Sequence, residues 1–490
     1  MFDISDIEAA IGSLKFGKAP GFDGIVKEHI SYSHPAIIVH LKLLFNILIK
    51  HCYVPDNFGF GVVIPLVKDK AGDVTDVNNY RGITLSPVVS KLFEYCILHK
   101  YDCLTITSEL QFGFKKQVGC TSAIFALRQC VQYFIERGST VFMAALDAKK
   151  AFDRVNHVKL LHRLCDVGVP AHLVQMIMNW YSKIFIVVKW GNSYSMPYHV
   201  KSGVRQGGVL SPVLFNLYID DIINALVRSD LGCHIGHCYI GCLVYADDII
   251  LLSASLLKLQ KMLDVCFECG NYLDIVFNAK KSTLFVAGAD FSRVCDGLQM
   301  GQDTVSWSHT LKYLGVVFKS ARTVLVDVDV TVRKFYASAN AILSHVKYAS
   351  EMSKLFLVET FCLPVLSYSC ESLNLSRKQL SQLNVCWNNI YRNIFNMNLW
   401  ESVKELICLC ERVDFVHLYA QRKLTFVQKL LQAPSDVIHT CAYMFTVSRE
   451  NAFLCEKFDV YIGNFGANNV KGKIANIVSN KFRELCNVKQ

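Results

Sequence analysis

The sequence predicts an α+β protein whose antiparallel sheet carries acidic residues at one end and whose C-terminal part is helical. Residues 140–147 form an apolar run of strand length that ends in Asp147. Residues 243–252 contain two further apolar runs on either side of the adjacent pair Asp247 and Asp248, which predicts two strands joined by a tight turn. In the C-terminal third of the chain, apolar side chains recur at helical spacing instead.

The acidic pair in the apolar hairpin is the first indication of a functional site. Neighbouring carboxylates repel each other, and burial disfavours their ionised forms. A divalent cation would offset this cost, and Mg²⁺ is held by one or two carboxylates together with substrate phosphates. A surface hairpin with an acidic tip is the alternative. If the strand that ends in Asp147 lies beside this hairpin, then Asp147, Asp247 and Asp248 could hold two metal ions, an arrangement that would suit in-line phosphoryl transfer.

The composition is that of a packed globular protein. Hydrophobic residues make up 52% of the chain and charged residues 19%, which excludes an intrinsically disordered chain. The length of 490 residues suggests several subdomains. The net charge of +10 favours a polyanionic partner, although a weakly basic enzyme without such a partner has a similar balance.

The 20 cysteines are scattered through the chain, which indicates reduced core residues in an intracellular protein. Three stretches, 233–238, 266–269 and 408–417, contain residue types that bind zinc, but none has the spacing of a usual zinc module. No apolar run is long enough to cross a membrane, and no membrane partner is expected.

Three motifs occur in a meaningful order. They are DAKKAFDRVNH (147–157), GVRQGGVLSPVLFN (203–216) and YADDIILL (245–252). Together they resemble the palm motifs of the reverse transcriptase of a non-LTR (LINE-type) retrotransposon, and the resemblance extends over about residues 10–320. It implies a right-hand polymerase with fingers, an antiparallel palm sheet and a helical thumb. The implied activity is that of an RNA-directed DNA polymerase, a nucleotidyltransferase that adds dNTPs to a primer 3′-hydroxyl.

Residues 1–135 are expected to form the fingers and the start of the palm. The loop GKAPGFDGI (17–25) is similar to the entry motif of LINE-type polymerases. Two strands, near 60–68 and 79–85, are expected to pair as a hairpin. Lys68 and Arg81 would then bind the triphosphate of the incoming nucleotide, because arginine offers a planar fork of donors and lysine a point charge. Two solvated surface charges are the alternative.

Residues 136–320 are expected to form the palm with the catalytic motifs. The resemblance implies that Phe152 lies under the sugar and excludes a 2′-hydroxyl, although a core aromatic is the commoner use of phenylalanine. For the glycine-rich loop, the resemblance implies that Gln206 and Gly207 lie beneath the templating base and the incoming nucleotide. Glycine suits this position because it lets the backbone approach a ligand closely. Arg205 departs from the family pattern and is expected to make an extra phosphate contact.

Further residues of the expected palm complete the site. Tyr245 of the YADD motif is counted among the substrate-binding residues. Residues 278–282 (NAKKS) resemble a family box whose lysine corresponds to Lys281, expected to act as general acid toward the leaving pyrophosphate, with simple electrostatic stabilisation as the alternative. Residues 311–318 (LKYLGVVF) resemble the hairpin that holds the primer end.

The remaining predictions concern the C-terminal part and the partners. Residues 321–430 are expected to form a helical thumb, and 431–490 a C-terminal helical extension of unknown role. The expected cofactor is a pair of Mg²⁺ ions on Asp147, Asp247 and Asp248. The expected partners are an RNA template, a DNA primer, dNTPs and an element-encoded endonuclease in a missing part of the protein, in the nucleus and cytoplasm.

Two other functions fit the same motifs. One is a catalytically inactive, domesticated nucleic-acid-binding protein, which intact carboxylates argue against. The other is a group II intron-type maturase polymerase, which the lack of a recognisable maturase tail disfavours.

Overall fold

The chain contains both helices and strands up to about residue 326, and the residues described beyond that point form helices and the loops between them. The computed structural model describes residues 1–70, 72–292, 296–433, 435–460 and 470–486. One main hydrophobic core extends from Phe2 to Cys486, and a smaller cluster of buried residues lies between Ala420 and Val478. The mixed fold agrees with the predicted α+β class.

The helices vary in length from four to 19 residues. They are α1 (Ile4–Ser13), α2 (Lys27–Ser31), α3 (Ala36–His51), α4 (Asp56–Gly59), α5 (Val88–Lys100), α6 (Cys120–Glu136), α7 (Ala151–Arg154), α8 (His157–Asp166), α9 (Ala171–Tyr181), α10 (Ser211–Ser229), α11 (Leu256–Tyr272), α12 (Asp329–His345), α13 (Glu351–Phe361), α14 (Leu363–Leu366), α15 (Arg377–Ile394), α16 (Lys404–Leu409), α17 (Phe415–Leu430), α18 (Asp436–Thr446), α19 (Arg449–Phe458) and α20 (Val470–Leu485).

The strands are mostly short. They are β1 (Phe60–Val67), β2 (Tyr80–Leu85), β3 (Val141–Leu146), β4 (Phe185–Trp190), β5 (Ser193–Tyr194), β6 (Tyr198–His199), β7 (His234–Ile235), β8 (Cys238–Tyr239), β9 (Cys242–Tyr245), β10 (Asp248–Ser253), β11 (Thr283–Ala287), β12 (Leu298–Met300), β13 (Asp303–Val305), β14 (Thr310–Tyr313), β15 (Val316–Lys319) and β16 (Leu325–Val326).

A four-stranded antiparallel sheet with the order β11-β3-β10-β9 lies at the centre. Its strands β3 and β10 are continuous apolar runs and are almost completely buried. Such runs need cover on both faces, and helices α6 and α11 pack against the strands. The predicted antiparallel sheet, with the acidic residues at one of its ends, is therefore observed.

A second sheet has the order β2-β1-β4-β5, with β6 also paired to β4. The expected hairpin of β1 and β2 is confirmed, with Leu66 opposite Arg81. Strand β4 lies within the range assigned to the palm, yet it pairs in parallel with β1. This sheet therefore combines segments that are more than 100 residues apart in the chain.

Residues 193–199 do not form a single continuous strand beside β4. The Oγ of Ser195 accepts a hydrogen bond from the backbone N–H of Val188 at 2.9 Å, where a carbonyl would stand in a regular ladder. Pro197 has no N–H to donate. As a result, two short strands, β5 and β6, replace the single strand.

The C-terminal helices are tied to α6 by a buried cluster of charges. Lys423 on α17 is completely buried, and its Nζ donates to Glu450 on α19, to the hydroxyl of Tyr419 at 2.8 Å and to the carbonyl of Leu373 at 2.5 Å. The other carboxylate oxygen of Glu450 accepts from Arg128 on α6 at 3.3 Å. Burial lowers the pKa of Lys423 to about 8, although Glu450 opposes the shift. The carboxylate of Glu450 therefore forms ion pairs with two buried cations, Lys423 and Arg128.

Replacing Glu450 with alanine should destabilise the protein strongly, because Lys423 and Arg128 would remain buried without their carboxylate. Removing one partner of a buried ion pair costs about 3–5 kcal/mol, to be measured as the free energy of unfolding in urea. The matched control is Glu456→Ala, which removes an exposed carboxylate from the same helix α19. Equal losses in the two variants would contradict the assigned role of the charge cluster.

Candidate active site

The predicted meeting of two strand ends is observed. In the β3–β10 pair, Ile249 lies opposite Leu146, so Asp248 and Asp147 stand next to each other one position further along. Asp247 lies in the two-residue turn between Tyr245 and Asp248, which pair across the hairpin. Carboxylates from positions 100 residues apart therefore gather at one end of the central sheet.

The three carboxylates influence one another electrostatically. Burial, together with the charges of Asp247 and Asp147, raises the pKa of Asp248 to about 6. Burial also raises the pKa of Asp247, with the charge of Asp147 adding to the shift and that of Arg81 opposing it. The Asp248 side chain reaches solvent, but its carboxylate stands above a buried strand and beside two like charges.

This donor set fits a hard divalent cation. Carboxylate oxygens are the ligands that Mg²⁺ prefers, and a cation would relieve the repulsion that adds to the effect of burial on both pKa values. Within the described part of the chain, however, no group of three or more His, Cys, Asp or Glu side chains is close enough to hold a metal ion as it stands. The aspartates converge but do not form a preformed cage, and the three cysteine-containing stretches do not form one either.

The turn that carries Asp247 is strained and supported from outside the hairpin. Ala246 has a φ of +55°, a conformation that favours glycine and costs on the order of 1–3 kcal/mol for other residues. The side-chain oxygen of Gln111 accepts hydrogen bonds from the N–H groups of Ala246, at 3.0 Å, and Gly113, at 2.8 Å. Sequence reasoning missed this glutamine, which lies 135 residues before the turn that it supports.

The loop before β11 holds the backbone of Asp147. The N–H of Asp147 donates to the Oγ of Ser282 at 3.1 Å, and its carbonyl accepts from the N–H of Asn278 at 2.8 Å. Lys281 is exposed in the same loop, at the carboxylate end of the sheet. Ser282 was not singled out from the sequence, although it belongs to the same box as Lys281.

The two basic residues of the β1–β2 hairpin differ in their surroundings. Both are exposed. The charge of Arg81 reaches the carboxylates and opposes the raised pKa of Asp247. The Nζ of Lys68 donates to the carbonyl of Asn78 at 3.0 Å, at the end of the hairpin. The structure therefore brings Arg81 towards the acidic end of the sheet and ties Lys68 to the hairpin backbone.

The glycine-rich loop lies against the free edge of β2. The carbonyl of Gln206 accepts from the N–H of Thr84 at 2.6 Å. Gly207 has a φ of +119°, and a Cβ there would stand 2.5 Å from the carbonyl oxygen of Thr84, so only glycine fits. The side-chain amide of Gln206 donates to Asp153 at 2.7 Å. A cavity of about 280 Å³ separates this loop from the face of the second sheet.

Arg205 does not point to solvent, so the prediction that it contacts a phosphate is wrong. Its guanidinium is buried and donates to Glu94 at 3.0 Å and to the carbonyl of Phe58 at 2.8 Å. The other oxygen of Glu94 accepts from the N–H of Leu210, just before α10. A glutamate on the otherwise apolar face of α5 was the available signal, because a buried carboxylate requires a partner.

The two aromatic residues of the expected site are both half-buried. Phe152 stacks on Phe215 of α10, with ring centroids 4.1 Å apart and an interplanar angle of 14°, and meets Phe114 edge to face. Its orientation is therefore fixed. Burial, with the thiol of Cys120 contributing, raises the pKa of Tyr245 to about 12.

A sheet end that gathers three aspartates beside a basic hairpin is typical of enzymes that transfer phosphoryl groups with two metal ions. The model of the family described as reverse transcriptase (RNA-dependent DNA polymerase) matches residues 67–318, just over half of the chain. The chain belongs to this family.

Its relatives support the resemblance to reverse transcriptases of non-LTR retrotransposons. The RNA-directed DNA polymerase from mobile element jockey of Drosophila funebris is 26% identical over 424 residues, covering 83% of this chain and 45% of the relative. A Pol polyprotein from the type-1 retrotransposable element R2 of Popillia japonica is 27% identical, covering 64% of this chain and 44% of the relative. The chain thus spans less than half the length of these two relatives.

A solved telomerase from Candida albicans, in complex with a fragment of telomeric RNA, aligns with a TM-score of 0.41 and 10% identity. The alignment covers 87% of this chain and 68% of the telomerase. This similarity is too low to establish a shared fold. Within the described ranges, no helix is long and apolar enough to span a membrane.

Replacing Asp248 with asparagine should stabilise the metal-free protein at about pH 8 but not at about pH 4. Because the pKa of Asp248 is raised from 3.8 to about 6, its charge destabilises the folded state above about pH 6, and this effect disappears below about pH 4. Thermal unfolding with a chelator present measures the difference.

The control for this experiment is Asp303→Asn, which removes an exposed carboxylate from the β12–β13 hairpin. It should change the melting temperature equally at both pH values. A stabilisation by Asp248→Asn that does not depend on pH would show that the three carboxylates do not repel one another as described.

Proposed function

We propose that this protein is an RNA-directed DNA polymerase that adds deoxynucleotides to a primer 3′-hydroxyl. The observation that carries the proposal is the pairing of β3 with β10, which gathers Asp147, Asp247 and Asp248 at one sheet end. Membership of the reverse transcriptase family supports the same reaction. A basic hairpin on one side of the carboxylates is what a triphosphate substrate requires.

The proposed subdomains follow the expected boundaries. Residues 1–135 would supply the fingers and the start of the palm, 136–320 the palm, 321–430 the thumb and 431–490 an extension. What supports the palm assignment is the antiparallel sheet with its carboxylates. Pairing of β4 with β1 argues that residues 185–199 act with the fingers although they lie within the palm range.

Each residue of the proposed site would have a separate role in the reaction. Asp147, Asp247 and Asp248 would hold two Mg²⁺ ions, which supply Lewis-acid stabilisation of the phosphoryl oxygens when bound. Arg81 and Lys68 would bind the triphosphate. Lys281 would give a proton to the leaving pyrophosphate. The nucleotide and the templating base would be contacted by Gln206, Gly207 and Tyr245.

The proposed partners are an RNA template, a DNA primer and dNTPs, together with an endonuclease encoded by the same element. The net charge of +10 suits nucleic-acid partners. Such substrates are found in the nucleus and the cytoplasm, where we propose that the protein acts.

Primer extension on an RNA template tests the polymerase proposal. Asp247→Asn should abolish incorporation, because it removes a carboxylate charge at the point where the proposed metals would be held. Asp303→Asn serves as the control and should retain activity. Incorporation that survives Asp247→Asn would remove the triad assignment. Salt-dependent binding of nucleic acid by the wild type without any incorporation would favour the inactive binding protein instead.

Replacing Phe152 with valine should relax discrimination against ribonucleotides. The phenylalanine ring is held by stacking on Phe215, and a smaller side chain would leave room for a 2′-hydroxyl. The measurement is the ratio of kcat/KM for a dNTP and the matching rNTP, with Phe114→Val as the control for loss of a neighbouring ring. An unchanged ratio in Phe152→Val would remove the sugar-gate role.

A further inference from the structure

We propose that Gln111 is a positioning residue for the catalytic carboxylates. Its side-chain oxygen fixes the turn from which Asp247 and Asp248 project. The inference rests on the proposed function, because it assigns Gln111 a role in presenting the metal-binding acids. Gln111 lies outside the hairpin, 135 residues before Ala246, and its side-chain oxygen accepts the N–H of Ala246.

The amide group of Gln111 is used for its oxygen. The residue is completely buried. Its Oε1 accepts two hydrogen bonds, from Ala246 N–H at 3.0 Å and from Gly113 N–H at 2.8 Å. Its Nε2 has no hydrogen-bond partner among the described residues. A buried amide that leaves its donor unsatisfied is costly. The two hydrogen bonds that the Oε1 of Gln111 accepts explain why a glutamine occupies this position.

The turn needs an external acceptor because of its conformation. Tyr245 pairs with Asp248, so Ala246 and Asp247 alone make the turn. Two-residue hairpin turns require positive φ, usually at glycine. Here alanine takes that conformation, with φ of +55°. Because Ala246 immediately precedes Asp247, any relaxation of Ala246 would change the direction of the acidic side chains.

The backbone around Gln111 makes its oxygen a fixed reference point. Residues 110–112 run alongside β9, with hydrogen bonds from Phe112 N–H to Val244 at 2.7 Å and from Val244 N–H to Leu110 at 2.9 Å. Gly113 approaches the turn so closely that a Cβ would stand 2.5 Å from the nitrogen of Ala246. Asn216 of α10 donates to the carbonyl of Gly113 at 2.7 Å. The bonds of Phe112, Val244 and Asn216 do not involve the glutamine side chain, so a substitution at Gln111 leaves their donors and acceptors in place.

The experiment compares Gln111→Met, which keeps the length of the side chain but lacks an acceptor oxygen, with Gln111→Glu, which keeps an oxygen at the same reach. We expect Gln111→Met to lower kcat about 100-fold, the effect of a misplacement of about 1 Å, with little change in the KM for dNTP. Gln111→Glu should recover most of this loss. Gln129→Met, which replaces another buried glutamine on α6, should leave kcat unchanged.

Metal binding gives a readout that does not depend on activity. Mn²⁺ affinity, measured by electron paramagnetic resonance on protein without nucleic acid, should fall several-fold in Gln111→Met and be restored in Gln111→Glu. Circular dichroism melts check folding, and Gln111→Asn, which shortens the reach of the oxygen, replaces the methionine variant if that variant does not fold.

The outcomes separate this inference from the proposed function. Wild-type kcat and Mn²⁺ affinity in Gln111→Met would overturn the positioning role, and equal losses in the methionine and glutamate variants would overturn the acceptor explanation. If the wild type incorporates no nucleotide, the proposed function fails. The Mn²⁺ measurements still decide whether Gln111 orients the acids.

Discussion

The pairing of β3 with β10 is the interaction on which the candidate site depends. The register of this antiparallel pair, with Ile249 opposite Leu146, fixes which side chains stand at the sheet end. A shift of one residue would send the side chains of a strand to the opposite face. Almost complete burial of both strands disfavours such a shift, because every side chain would have to be packed again against the elements that cover the sheet. The hydrophobic core therefore sets the separation of the carboxylates.

The sequence predicted those parts of the fold that depend on local pattern. The β1–β2 and β9–β10 hairpins follow from apolar runs around polar turns, and the C-terminal helices follow from apolar side chains at helical spacing. The convergence of Asp147 with Asp247 could be predicted because both lie at ends of buried strands. The parallel pairing of β4 with β1 could not, since no local signal selects a partner more than 100 residues away.

The residues that sequence reasoning missed or assigned to the wrong role share one physical property. Gln111, Ser282 and the pair of Glu94 with Arg205 are buried polar side chains that bond to backbone groups outside regular ladders. A pattern of apolar residues gives no information on such bonds, because their partners are main-chain atoms brought near only by folding. Buried polar groups are expensive unless paired, so each marks a place where the backbone departs from regular structure. Around this site, those places are the turn at Ala246, the loop before β11 and the glycine-rich loop.

Helix α6 links the site to the C-terminal part of the chain. At its first residue, the thiol of Cys120 contributes to the raised pKa of Tyr245 in the YADD motif. Further along the helix, Arg128 meets Glu450, which also binds the buried Lys423. Buried charges of this kind tolerate little displacement, because separating them leaves an unpaired charge in an apolar environment. Helices α17 and α19 are therefore fixed to the helix that packs against the central sheet, and they belong to the same structural unit as the carboxylates.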